Sequence, residues 1–431
     1  MHTGVAVIRR NSRRHDAGLA GRTAMKMHKW TVGLAAAGLV TLPTGLLAEE
    51  QMNQVWTTLS STTISGYVNT SMHWNTGTGN GTVPNVVYNT PDKQDGFNLN
   101  VVDLELEKPL DETPWAAGYK VQLWFGEDAA LFGSNNSISK GNISEDVAIR
   151  QAYVALRTPV GNGLDFKVGV FDPVVGYESH DGGKNPNYTR AYSTTIEPYS
   201  HTGVLLSYQF TELVAASVGI ANTIGPVINQ RANPPKAESY KTYTASVALS
   251  APDDWGFLAG STAYVGVVNG YSNGDNWDQT LGYVGATLNT PIRGWRVGAS
   301  YDYLGTTSEF DGDDNYANAL AAYTSIQLTE KMSVHGRLEY AWTDTALLGS
   351  SANLAGGNSE ILALTGTLQY DLWRNVLSRI EIRWDHQAGD GEMTPFGGPI
   401  TGFGGGGFGV PPTEGSKRNS VLIAANIIYL F

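Results

Sequence analysis

From Thr62 onward the chain alternates in short segments, with almost no 3.6-residue period sustained over ten residues. Tyr119, Val121, Leu123 and Phe125 share one face of one such segment, with Lys120 and Gln122 on the other. Val102, Leu104 and Leu106 oppose Asp103, Glu105 and Glu107, and Val334, Leu338, Tyr340 and Trp342 oppose His335, Arg337 and Glu339. Ile380, Ile382 and Trp384 likewise oppose Arg379, Glu381, Arg383 and Asp385. A period of two predicts strands with two chemically distinct faces. Sixteen candidate strands begin near residues 62, 96, 117, 146, 163, 200, 213, 239, 257, 277, 294, 316, 331, 358, 376 and 418. One stretch needs weighing: Trp255 to Gly274 is 20 residues without a charge, long enough for a membrane helix. Its glycines at 256, 260, 266, 270 and 274, with Asn269, Asn273 and a centre rich in Val and Tyr, predict a strand followed by a loop.

Any one charged face could simply meet water in a soluble sandwich. The connections argue otherwise. Short ones (Leu110 to Ala116, Thr158 to Asn162, Thr211 to Glu212, Ala251 to Gly256, Thr290 to Arg293, Thr329 to Glu330, Asp371 to Asn375) alternate with long ones that include Thr76 to Asp95, Ala129 to Glu145, Gly176 to Tyr199, Thr223 to Glu238, Thr345 to Gly357 and Ala388 to Lys417. The pattern predicts an all-β fold over residues 62–431: a transmembrane antiparallel β-barrel of about 16 strands, with periplasmic termini and short turns and long extracellular loops. Hydrocarbon satisfies no backbone N–H or C=O, so a strand protein must close on itself to cross it. A barrel of this size is too wide for side chains to fill, so its inner face must be polar. Trp74, Trp115, Trp277, Trp295 and Trp384 at strand ends would form girdles at the two interfaces.

The last strand carries a second signal. Val421, Ile423, Ala425, Ile427 and Tyr429 share a face that ends at Phe431, opposite Ser420 and Asn426. Outer-membrane assembly machinery recognises a terminal aromatic after such a strand, so that machinery, membrane lipid and lipopolysaccharide are the expected partners.

Composition agrees. Charged residues are 16% of the 431, below the roughly 25% of ordinary soluble domains. There are 51 glycines and no cysteine, which rules out a disulfide scaffold, a thiolate metal site and a cysteine nucleophile. Lys26 and Lys29 precede an uncharged run from Trp30 to Ala48 with Glu49 and Glu50 after it, the layout of a secretory signal cleaved after Ala48. Residues 1–48 are accordingly read as presegment and signal, and 49–61 as a short periplasmic segment; Met25 or Met27 is the alternative start. Setting aside the seven basic residues and one acidic residue of 1–48 takes the formal charge from −12 to −18, which argues against nucleic acid as a partner.

Four stretches resemble the OmpL-like putative β-barrel porins of Gram-negative bacteria: Ile64 to Asn75, Phe97 to Leu110, Arg150 to Ser179 and Asn185 to Phe210. The resemblance covers mainly the first half of the mature chain. It implies an outer-membrane channel, and the likeness to general porins implies a homotrimer.

Passive permeation needs no nucleophile, metal or cofactor; it needs a constriction whose charges set the field. In general porins the third long loop folds into the lumen, and counting here gives Gly176 to Tyr199, with Glu178, Asp181, Lys184, Arg190 and Glu197. Around it Lys120, Lys167, Arg337, Arg379 and Arg383 are candidates to face Asp103, Glu105, Glu107, Glu339, Glu381 and Asp385 across the lumen and orient a dipolar solute. Alternatively, neighbouring rows pair across strands. The carboxylate excess leans the pore slightly towards cations. Gly402 to Gly407 matches G-x-G-x-x-G but opens no helix, and Asp311, Asp313, Asp314 and Asn315 lack the spacing of a calcium loop. His73, His180, His201, His335 and His386 show no H-E-x-x-H spacing. Two other readings stay open: a non-conducting adhesin or scaffold acting through loops such as Phe396 to Val410, and an enzymatic barrel with catalytic groups at its rim.

Overall fold

The computed structural model describes residues 62–77, 93, 95–132, 147–232, 236–272, 277–308, 314–344, 359–389, 396 and 417–431. The expected signal (1–48), the segment 49–61, Asp311, Asp313 and all of Phe396 to Val410 except Phe396 lie outside the described residues.

Sixteen strands follow one another: β1 (Thr63–Asn75), β2 (Gly96–Lys108), β3 (Ala117–Phe125), β4 (Val147–Thr158), β5 (Leu164–Phe171), β6 (His201–Gln209), β7 (Val214–Ala221) and β8 (Thr242–Ser250), then β9 (Thr262–Ser272), β10 (Trp277–Asn289), β11 (Trp295–Ser308), β12 (Asp314–Gln327), β13 (Met332–Thr343), β14 (Ser359–Trp373), β15 (Val376–Gln387) and β16 (Asn419–Leu430). Each pairs antiparallel with its sequence neighbours, and β1 pairs with β16 to close the barrel. At the seam Tyr67 stands opposite Leu430, and beyond it Gly66 and the terminal Phe431 exchange two backbone hydrogen bonds of 3.0 Å.

The alternation read from the sequence sorts the two faces. On β13, Val334 and Leu338 are exposed while Ser333, His335, Arg337, Glu339 and Thr343 are buried; on β15, Ile380 and Ile382 are exposed while Arg379, Glu381, Arg383, Asp385 and Gln387 are buried. Exposed Val, Leu and Ile continue around the outside on β4, β7, β9 and β14. That is the wall hydrocarbon requires. Trp115, Phe210, Trp255, Phe257 and Trp373 are exposed at the short-turn end, and Trp74, Tyr243 and Tyr316 at the other. Trp295 and Trp384 sit half-buried on the outside, their indole N–H groups donating to the Thr324 hydroxyl and the Asn419 amide oxygen. No helix among the described residues is long and apolar enough to cross a membrane.

Two local departures from simple alternation matter. β9 begins at Thr262, five residues later than expected, because Asp253–Leu258 form a 3-10 turn after Pro252, with Gly256 and Gly260 at positive φ. On β4 a register shift leaves Arg150 without a ladder partner, so Arg150 and Gln151 are both buried inside.

Ile382→Arg places a charge on the lipid face and is expected to cost about 2–4 kcal/mol of folding free energy if it lies near the bilayer midplane. Urea unfolding in vesicles measures this; stability equal to wild type would contradict the assignment of faces.

Candidate functional site

The connection between β5 and β6, residues 172–200, runs inside the barrel. It leaves β5 through Asp172 and Pro173, turns at Gly176 (φ 104°) and contains two 3-10 turns, Gly182–Lys184 and Tyr192–Thr195. One flank is apolar. Val175, Tyr192 and Ile196 pack in one cluster with Tyr264 and Val268 of β9, Leu281 and Tyr283 of β10 and Leu304 of β11. Tyr177 stacks on Tyr323 of β12 with ring centroids 4.0 Å apart, and its hydroxyl lies 2.8 Å from that of Thr287. This fit needs a glycine: a Cβ on Gly298 would overlap the Tyr177 hydroxyl.

The other flank is polar and matches donors to acceptors one by one. Glu381 accepts from the backbone N–H groups of Tyr188 (2.6 Å) and Thr189 (2.9 Å) and from the hydroxyls of Thr189 and Thr367. Glu339 accepts from the Tyr192 N–H at 2.8 Å, and the Tyr192 hydroxyl donates to Asp385 at 3.0 Å. Arg337 donates to Glu178 (2.9 Å), Glu339 (2.6 Å) and the Thr189 carbonyl (2.8 Å). Arg383 holds Asp385 and the Arg190 carbonyl, and Arg379 holds the carbonyls of Gly182 and Asn185. Arg190 folds back on the carbonyls of Ser179, Tyr188 and His180. A loop buried in this way would leave its peptide groups unsatisfied; here wall carboxylates take its N–H groups and wall guanidiniums its carbonyls.

Across the lumen the loop meets β1 to β5. The Gly182 N–H donates to the Tyr67 hydroxyl at 3.2 Å and the Tyr188 hydroxyl donates to Ser71 at 2.9 Å. Arg150 pairs with Asp172 and lies 3.8 Å from Asp181, which Lys184 holds at 2.5 Å. On the wall, Lys120 reaches Glu105 (2.8 Å) and Glu107 (3.6 Å), Asp103 accepts from Gln122, and Lys167 lies over the Tyr153 ring. The charged groups here are unevenly covered: Arg150 and Asp181 are buried, while the side chains of Glu107 and Lys184 are 33% and 35% exposed, against 3% or less for Arg337, Glu339, Arg383 and Asp385.

Burial alone would raise the Asp181 carboxyl, but Lys184 and Arg150 beside it outweigh this and hold it well below the usual carboxylate range. Burial, then Arg150 and Arg190, keep the His180 imidazole neutral far below its ordinary value. Burial pushes Glu197 up to about 8, with Glu178 adding to the shift.

The expected charged residues are thus gathered at one level, but not as two rows facing each other across open water. Arg337, Glu339, Arg379, Glu381, Arg383, Asp385, Glu178 and Arg190 lie beneath or within the loop. Glu105, Glu107, Lys120, Lys167 and Lys184 border the wetter side, with Asp103 and Asp181 behind them. Neighbouring charges pair along and across strands, as Arg383 with Asp385 and Lys120 with Glu105. Sequence reasoning missed Arg150, Asp172, Asp302 and the loop tyrosines 177, 188 and 192. Period-two alternation could have flagged Asp302, while the shift that turns Arg150 inward has no sequence signal. Among the described residues no group of three or more His, Asp or Glu could hold a metal ion.

Arg337→Met would leave Glu178 buried without its cation and take from Glu339 one of the two guanidiniums beside it, Arg383 remaining at 3.3 Å, a loss of about 3–5 kcal/mol. Hydrogen exchange should then become faster across 172–200 while the strands stay protected; unchanged loop protection would contradict the seating described.

The family model described as Putative beta-barrel porin-2, OmpL-like, matches residues 61–430. No curated protein matches the chain. Among solved structures, the outer membrane channel DcaP of Acinetobacter baumannii is similar at 13% identity, covering 87% of this chain and 99% of that one with a TM-score of 0.55. The anion-selective porin from Comamonas acidovorans is similar at 13% identity, 86% and 99% coverage and a TM-score of 0.54. OmpT of Vibrio cholerae in its trimer form is similar at 12% identity, 86% and 99% coverage and a TM-score of 0.53. At these identities the likeness concerns the fold.

Proposed function

Because the chain belongs to the OmpL-like putative beta-barrel porin-2 family, we propose that it forms a water-filled channel for passive diffusion of ions and small hydrophilic solutes across the bacterial outer membrane, with residues 172–200 as its constriction. The observation that carries this is the loop inside the barrel, covering the charges of β13 and β15 while leaving Glu105 and Glu107 of β2, Lys167 of β5 and its own Lys184 partly open to water. Solute passes along that wetter side, past Glu105, Glu107, Lys120, Lys167, Asp172 and Lys184. The covered residues position the loop instead. Each sign contributes three groups there, so intrinsic selectivity is weak; the acidic remainder of the chain gives a slight cation lean, which salt screens.

The signal read in residues 1–48 would deliver the chain for export, the short turns and both termini face the periplasm, and the strand ending at Phe431 presents itself to the assembly machinery. The barrel associates as a homotrimer, as OmpT of Vibrio cholerae does in its trimer form, and contacts lipid and lipopolysaccharide.

Purified protein in planar bilayers should show stepwise conductance with a small cation preference that fades as salt rises. Replacing both Glu105 and Glu107 by Gln should move the reversal potential towards anions. A silent bilayer with folded protein would overturn the reading, and an unchanged reversal potential would remove these two residues from the path.

A further inference from the structure

Of the lysines and arginines on the inner strand faces and the 172–200 loop, one makes no ion pair or hydrogen bond among the described residues. Arg157 holds Asp165 through two nitrogens at 2.6 and 2.9 Å, Arg150 holds Asp172, and Lys120 holds Glu105 and Glu107. Lys184 pairs with Asp181, and Arg337 and Arg383 pair with Glu339. Arg379 and Arg190 donate to loop carbonyls, and Arg296 to the Asn289 side chain. The exception is Lys167 on the inner face of β5, whose ammonium lies over the Tyr153 ring, 4.7 Å from its centroid. Phe171, Val174 and Leu205 pack with Tyr153 and hold the ring in place. From the ring the wall continues across β5, β6 and β7 with Gly169, Gly203 and Ala221, which offer the ammonium no polar side chain. Glu107 lies in its field but is taken by Lys120 at 3.6 Å. Lys167 and Tyr153 are both half-buried, so each keeps some contact with water.

An ammonium carries three N–H donors. The face of an aromatic ring attracts its charge without using up those donors, so they remain available to a solute. Carboxylate and phosphate oxygens accept such charged hydrogen bonds most strongly. The charges of Glu105, Glu107, Lys120 and Lys167 cancel, so an oxyanion arriving there meets no net repulsion from this group. We propose that Lys167, held over Tyr153, is a binding step for the oxyanion group, carboxylate or phosphate, of solutes passing the loop. The passage rests on the channel reading above; the binding itself does not. Tyr153 is the positioning residue, because its ring keeps the ammonium from closing on Glu107.

NMR line broadening of carbon-13 acetate and of inorganic phosphate, followed as the folded full chain in detergent micelles is added, reads the binding without a conducting bilayer. Wild type and Tyr153→Phe should broaden one or both signals. Lys167→Gln should weaken the apparent affinity at least about tenfold, the loss of one charged hydrogen bond. Tyr153→Leu keeps every charge but frees Lys167 to close on Glu107, and it should show the same loss. Broadening of acetate alone would assign the step to carboxylate solutes, and of phosphate alone to phosphorylated ones. No broadening with wild type, undiminished broadening with Lys167→Gln, or Tyr153→Leu behaving as wild type would overturn the proposal. In planar bilayers the anion that binds should lower the wild-type potassium chloride current saturably, and the current of Lys167→Gln less. A silent bilayer with the broadening intact would sink the channel reading alone, whereas a conducting channel without broadening would sink the site.

Discussion

The backbone hydrogen bond, in a solvent that offers none, is the constraint on which the rest of this structure depends. A strand in hydrocarbon must give every N–H and C=O to another strand, which a closed ladder alone achieves. Here the ladder closes between β1 and β16 and is completed by the paired peptide groups of Gly66 and Phe431. Closure with sixteen strands fixes the width, and the width leaves an interior that wall side chains cannot fill. Both the polar inner face and the chain segment lodged within it follow from that geometry.

The same rule governs the lodged segment. Residues 172–200 carry peptide groups into a buried place, and the wall answers with complementary chemistry on one side and with space on the other. Glu339 and Glu381 take N–H groups, Arg337, Arg379 and Arg383 take carbonyls, and the small and aromatic lining of β9 to β12 receives Val175, Tyr177 and Ile196. Charges that would set the field of an open lumen are spent on holding the loop. Those that remain in contact with water sit on the β2 to β5 side, where Lys120 and Lys184 stand among Glu105, Glu107 and Asp172.

The strands were legible because alternation is local and hydrocarbon enforces it along all but a few bulged positions. Arg379, Glu381, Arg383 and Asp385 fall on the inner face and Ile380 and Ile382 on the outer, as their spacing implies. Counting long connections also identified the loop between β5 and β6. What the charged side chains do inside was not legible, because it is set by contacts between residues far apart in sequence. Arg337 meets Glu178 and Thr189 across some 150 positions. Which guanidiniums are covered and which carboxylates stay wet depends on where the loop lands, and no periodicity encodes that. Arg150 points inward through a register shift, and Gly298 looks like any strand glycine until Tyr177 occupies the space above it.

The central claim is that the path for solute passes the loop tip on its wet side, and the cysteine-free chain allows a direct test. Lys184→Cys creates a single thiol at that tip, open to a bulky water-soluble thiol reagent. Single-channel current should fall in a step as the reagent attaches, with wild type unaffected. Complete modification, verified by mass, that leaves the current unchanged would contradict the account.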